Sequence, residues 1–160
     1  MRLGYYEDKA LELLLHEANL PFRAPLMLRG YYIRTYIMRD IVQRFLLHNS
    51  QSGNSEKRQI VNLGAGFDTL YFWLRKNQLL SENLQYFEID FVDVLKNKVK
   101  AIGAQRELLE QLENCEMSLE AGTLRANNYN IIPCDLRSTD EMFAKLKEAG
   151  FNTESDTFIF

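Results

Sequence analysis

The sequence predicts an α/β fold, a parallel sheet with helices on both faces. Three observations carry that expectation. From about residue 58 onward, short β-rich runs alternate with stretches of helical spacing. A Gly64-Ala65-Gly66 turn closes the first run, and the acidic residues Asp90 and Asp135 follow the second and third. Right-handed crossovers gather the carboxyl ends of parallel strands along one edge, where such sheets bind ligands. All three features fall on that edge.

The elements follow in chain order. Leu11–Leu20 reads as a short helix stopped by Pro21. Ile33, Ile37, Ile41 and Phe45 recur at every fourth position, with Tyr36, Val42 and Leu46 beside them, which predicts a helix with one apolar face. The polar stretch Asn49–Lys57 is the best boundary. It divides a helical lid or substrate segment, residues 1–57, from a sheet domain, residues 58–160. In the second part Gln59–Leu63, Gln85–Ile89, Tyr129–Cys134 and Thr157–Phe160 read as strands, about four in all. Thr69–Lys76, Val92–Ile102 and Gln105–Leu112 read as helices, with Gly103 ending the second. Ser138-Thr139-Asp140-Glu141 has capping-box spacing and opens a last helix that runs to Gly150.

Composition narrows the class. The 160 residues are 46% hydrophobic and 26% charged, ordinary for a globular domain. A net charge of −3 argues against holding a polyanion by bulk charge. The charge is uneven, however. Residues 1–60 carry 9 basic and 6 acidic side chains, net +3, and the remainder carry 10 and 16, net −6. Any polyanion would meet the first third. Cys115 and Cys134 are too few for a disulfide scaffold. The opening MRLGYYED does not read as a secretory leader, and no stretch approaches the roughly 18 apolar residues of a membrane span. A cytoplasmic setting without metal or membrane is expected.

The edge residues suit a nucleoside. Glycines let backbone approach a ligand closely, and Asp90 lies where a carboxylate accepts both ribose hydroxyls. A dinucleotide site would want a third glycine where Thr69 stands, and the negative Asp68 would repel a pyrophosphate. S-adenosylmethionine, with its sulfonium and ammonium and no phosphate, fits better than NAD. Its adenine amine would be read by Asp135 and its ring by the amide of Leu136. Asp68 itself fits either a helix N-cap or a contact to this cationic cofactor.

RAPLMLRGYYIR (Arg23–Arg34), VNLGAGFDTLYFWL (Val61–Leu74), YFEIDF (Tyr86–Phe91) and CDLR (Cys134–Arg137) together resemble the leucine carboxyl methyltransferase family. The resemblance implies a Rossmann-like class I methyltransferase fold with S-adenosyl-L-methionine as donor. It places Arg34 at the cofactor carboxylate, Gly64 in the glycine turn, Asp90 at the ribose, and Asp135 with Leu136 at adenine. A guanidinium holds a carboxylate through two parallel hydrogen bonds, which lysine cannot do. Arg29 would line the same pocket or contact substrate. No general base is expected, because a carboxylate substrate is already ionised at neutral pH.

One branch of the family methylates the carboxyl-terminal leucine of the type-2A protein phosphatase catalytic subunit. The other acts in wybutosine modification of phenylalanine tRNA. Bulky Ile33, the lack of asparagine before Arg29, and DVLKNKVKAIGAQREL point to the tRNA branch. In the resembled fold the fourth strand lies beside the first and the sheet continues past it, so the chain reads as cut inside its fourth strand. The lysine that the family has just before GYY is Leu3 here. An inactive fragment is therefore a further expectation.

Plainer roles are expected elsewhere. His16 and His48 read as surface or helix-end residues, and Cys134 as core. Arg34, Arg39 and Arg44, five apart, wind round a helix and form no stripe. Tyr71, Phe72 and Trp73 read as core aromatics.

Overall fold

A computed structural model describes residues 7–15, 24–48 and 57–160. Two helices come first, α1 (Lys9–Leu14) and α2 (Pro25–His48). Then follow β1 (Arg58–Leu63), α3 (Leu70–Lys76), β2 (Leu84–Asp90), α4 (Val92–Gly103), α5 (Arg106–Leu109), β3 (Glu116–Ser118), β4 (Thr123–Arg125), β5 (Tyr129–Pro133), α6 (Thr139–Glu148) and β6 (Asp156–Ile159). The strands form one mixed sheet in the order β3-β4-β5-β2-β1-β6. Its four parallel strands are those expected, with β6 beside β1.

The sheet is not wholly parallel, and it has six strands instead of about four. β3 and β4 form an antiparallel hairpin that extends the edge beyond β5. Each is three residues long, too short for an alternating pattern to show. Gly122, at φ +72°, makes the turn, and a Cβ there would lie 2.9 Å from the Lys96 nitrogen. Only glycine fits.

Strand alternation sorts the core into two layers. Ile60, Tyr86, Tyr129 and Ile131 face α3 and α4, where Tyr71 stacks on Tyr129 with ring centroids 4.0 Å apart. Val61, Phe87, Ile89 and Ile132 face α6 and pack on Leu146. Helices thus cover both faces, as the sequence predicts. Tyr71 and Phe72 are core, as is Cys134, and Trp73 packs partly buried beside them.

Three local expectations change. α2 is helical throughout, but Ile33, Ile37 and Ile41 are exposed; burial falls instead on Val42 and Leu46, with Met38 and Phe45 packed alongside. The spacing predicts the helix correctly, whereas which of its sides meets the domain is a tertiary outcome. The capping box before α6 does not close: Ser138 makes no side-chain cap bond, and Glu141 pairs with Lys145 at 2.7 Å. α5 is a single turn instead of Gln105–Leu112. α1 accounts for the start of the expected Leu11–Leu20 helix; its remainder, His16, and residues 49–56 of the boundary lie outside the described residues. The His48 side chain is likewise not described.

Candidate functional site

Strand register assembles the site. Leu63 aligns with Ile89, and Ile89 with Ile132, so all three strands end at one level. Gly64 and Ala65 then both donate their N–H to the Ile89 carbonyl, at 2.8 and 3.1 Å. Gly64 sits at φ +73° and Gly66 at +48°, backbone that side chains other than glycine rarely tolerate. A Cβ added at Gly64 meets nothing within 4 Å. The turn therefore presents open backbone at the strand edge.

Gly66 donates its N–H to Asp90 Oδ2 at 2.7 Å, and Phe91 donates to Oδ1 at 2.7 Å. Each carboxylate oxygen keeps a further lone pair. A vicinal diol can still be accepted. The Asp90 carbonyl in turn accepts the Cys134 N–H at 2.9 Å, which brings the end of β5 alongside.

Asp135 follows two residues after β5. Arg137 Nε approaches both its oxygens, at 3.0 and 3.1 Å, and Nη2 donates to Oδ2 at 2.6 Å. These bonds hold the Asp135 carboxyl down to about 2. The Arg137 guanidinium also lies 6.0 Å from the Phe91 ring centroid. An adenine amine at Asp135 would share or displace that guanidinium. Leu136 packs on the α6-side core. A cleft of about 750 Å³ runs from Phe91 past Pro133 and Asp135 to Lys145 of α6 and Met117 of the hairpin.

The structure thus gathers Gly64, Gly66, Asp90, Asp135 and Leu136 on one edge. Arg34 and Arg29 it does not join to them. Both are exposed on α2, and among the described residues neither forms a hydrogen bond or ion pair with that edge. Arg39 and Arg44 have structural partners, Asp8 and Asp40. Asp68 is not the N-cap of α3, which is Thr69; it stands one residue earlier, where its Oδ1 accepts the Leu70 N–H at 2.8 Å, and burial pushes its carboxyl above the usual range.

Beneath the turn lies a feature that sequence reasoning missed. Glu88 and Lys98 form a wholly buried ion pair, and Lys98 Nζ also donates to the Asp68 carbonyl at 2.7 Å. Burial pushes the Glu88 carboxyl up to about 7, the Asp68 charge adds to this, and Lys98 opposes it. The available signal was a lone glutamate inside the apolar run QYFEI, with a lysine at core spacing three residues after Leu95. Among the described residues no three His, Cys, Asp or Glu side chains cluster as metal ligands, and no helix is long and apolar enough to cross a membrane.

An α/β sheet with an open glycine turn and carboxylates at its strand ends has the layout that nucleoside-binding α/β domains share. The family profile for leucine carboxyl methyltransferase matches residues 4–160, and the chain belongs to that family. It is 34% identical over 164 residues to a leucine carboxyl methyltransferase 1 homolog of Arabidopsis thaliana, covering 99% of this chain and 46% of that protein. It is 35% identical over 158 residues to human tRNA wybutosine-synthesizing protein 4, covering 98% of this chain and 23% of that protein. Leucine carboxyl methyltransferase 1 of Rattus norvegicus is 32% identical over 162 residues, with 98% and 46% covered. The chain spans less than half the length of these relatives.

Proposed function

We propose that the chain forms the S-adenosyl-L-methionine-binding part of a class I carboxyl O-methyltransferase. The observation that carries this reading is the Gly66–Asp90 pair at the open glycine turn, with Asp135 two residues past the end of the adjoining strand. The residues present fit the cofactor. Asp90 retains lone pairs for ribose hydroxyls, open backbone at Gly64 admits close approach, and Asp135 with Leu136 stands where adenine would be read. Asp68 supports a cationic ligand over a pyrophosphate. Arg34, exposed on α2, is assigned to the cofactor carboxylate, and Arg29 to the same pocket or to substrate.

Bound there, the cofactor supplies an electrophilic methyl group on its sulfonium. The chain's own part is to bind and orient. Asp90 and the turn fix the adenosine end, while residues 1–57, as a lid or substrate segment, exclude water from a carboxylate oxygen and align it. No side chain needs to remove a proton.

For substrate we favour wybutosine-stage phenylalanine tRNA, supported by Ile33, the lack of asparagine before Arg29, and the net +3 of residues 1–60. The carboxyl-terminal leucine of the type-2A phosphatase catalytic subunit is the near alternative, supported by the similarity to leucine carboxyl methyltransferases. We place the protein in the cytoplasm. Because the chain spans less than half of its relatives, we expect it alone to bind cofactor weakly and to transfer no methyl group. Thermal shift and titration calorimetry with S-adenosylhomocysteine and NAD test the cofactor: stabilisation by the first alone is expected, and protection by NAD alone would replace this reading with a dehydrogenase. Binding of the tRNA or of the phosphatase catalytic subunit to the chain decides the substrate, and labelled methyl transfer by the chain alone would overturn the expected inactivity.

A further inference from the structure

Asp90 and Asp135 stand at neighbouring strand ends, but their carboxylates are not equally open to a ligand. A carboxylate offers about four lone-pair sites. Among the described residues, Asp90 gives one site on each oxygen to the amides of Gly66 and Phe91. Asp135 is filled by Arg137. Its Oδ1 accepts the Arg137 amide at 2.9 Å and Nε at 3.0 Å. Its Oδ2 accepts Nη2 at 2.6 Å and shares Nε at 3.1 Å. An amine that donates to Asp135 must therefore take a place that the guanidinium holds.

Phe91 is blocked by the same group. Its ring is half exposed, and Phe91 and Asp135 both line the cleft of about 750 Å³. Phe91 directly follows Asp90, so a base carried on a ribose at Asp90 passes this ring on the way to Asp135. The Arg137 guanidinium sits over the ring, 6.0 Å from its centroid, while its own side chain stays 84% exposed. A flat base between the two needs about 3.5 Å on each side, about 7 Å in all. The gap is too narrow.

We propose that Arg137 is a gate on the adenine end of the site, an affinity-determining residue that competes with the base for Asp135 and for the face of Phe91. This rests on the cofactor reading above. An exposed side chain changes rotamer in picoseconds to nanoseconds, far faster than a ligand arrives. The gate therefore acts on affinity. Only molecules with the guanidinium withdrawn accept the base, and the apparent dissociation constant rises by the inverse of their fraction. A two-point grip is at the upper end for an exposed ion pair, which sets the penalty at about fivefold.

A gate makes an unusual demand: removing a residue of the site should strengthen binding. S-adenosylhomocysteine and 5′-methylthioadenosine share adenine, and only the first carries the amino-acid carboxylate. Calorimetric titration should show both bound about fivefold more tightly by R137A. R137K keeps the charge but cannot grip two oxygens at once, so it should gain in the same direction. Weaker binding by R137A would make Arg137 part of the bound site and overturn the gate. A gain for S-adenosylhomocysteine alone would place the effect at the amino-acid end, and a gain absent from R137K would trace it to charge; either result overturns the proposal. Nitrogen-15 NMR reads the movement directly. Saturating S-adenosylhomocysteine should shift the Arg137 Nε–H signal toward that of a solvated guanidinium, and an unmoved signal would mean that the grip persists beside the base. If neither wild type nor R137A binds an adenine ligand at millimolar concentration, the cofactor reading fails and takes the gate with it. Binding by wild type with no gain in R137A sinks the gate alone.

Discussion

Asp90 Oδ2 receives the backbone N–H of Gly66 at 2.7 Å across 24 residues of sequence. One carboxylate therefore shapes the turn and faces the ligand edge, and two substitutions separate these duties. Asp90→Asn keeps one oxygen for Gly66 and loses the second anionic acceptor, so S-adenosylhomocysteine affinity should fall about tenfold with little change in stability. Asp90→Ala should weaken binding further and cost about 1–3 kcal/mol of stability, because charge-assisted bonds to two amides are lost. Calorimetry and urea melts read the two effects; wild-type affinity in Asp90→Asn would remove Asp90 from the nucleoside site.

Gly64 and Gly30 make a contrasting pair. Both have open space where a Cβ would go, but only Gly64 has positive φ. Gly64→Ala should destabilise by about 1–2 kcal/mol through left-handed backbone alone. Gly30→Ala, inside α2, should gain up to about 1 kcal/mol from helix propensity. Opposite shifts in melting temperature are the expected result, and equal shifts would show that backbone conformation is not what the turn requires.

What could be read from the sequence divides along physical lines. β1, β2 and β5 are five to seven residues long with β-branched, aromatic and leucine residues at their centres, so pattern finds them, and the turn and Asp90 follow from their ends. The hairpin is invisible because three residues cannot establish an alternation. Its stability comes from pairing with β5, a tertiary event. Asp8, Thr69, Glu88 and Lys98 escaped notice for the same reason. Even the glutamate inside QYFEI, which does stand out locally, has its partner 10 residues on, and the Asp8–Thr69 bond spans 61 residues. The exposed stripe of α2 marks the converse failure, a correct periodicity whose partner surface sequence cannot identify.

Arg137→Ala should return the Asp135 carboxyl toward its ordinary value. In the native protein the guanidinium and the Arg137 amide keep that carboxylate ionised down to about 2. Any stability it contributes is present above its unfolded value of 3.8 and is lost as pH falls through about 2. Carbon-detected NMR of the aspartate side chains should show the midpoint rising on substitution. An unmoved midpoint would mean that Arg137 does not hold Asp135 in solution.

Glu88 and Lys98 predict a dependence on pH of opposite sign. Burial raises the Glu88 carboxyl from 4.5 to about 7, so between those values the folded state binds more protons than the unfolded one. Stability then falls as pH rises through that window and levels off above it. Lys98→Met removes the cation facing the buried carboxylate and should cost about 3–5 kcal/mol at neutral pH. The loss should shrink toward about pH 5, where Glu88 enters the folded state protonated. Glu88→Gln should flatten the native decline. The double replacement Glu88→Leu with Lys98→Met should recover much of the lost stability, since an apolar pair avoids desolvating two charges. It would still leave the Asp68 carbonyl without its Lys98 bond, so cofactor affinity should stay low after stability returns. Urea midpoints across pH and one ligand titration read both quantities. Recovery of affinity together with stability would show that Lys98 supports the fold and does not position the glycine turn.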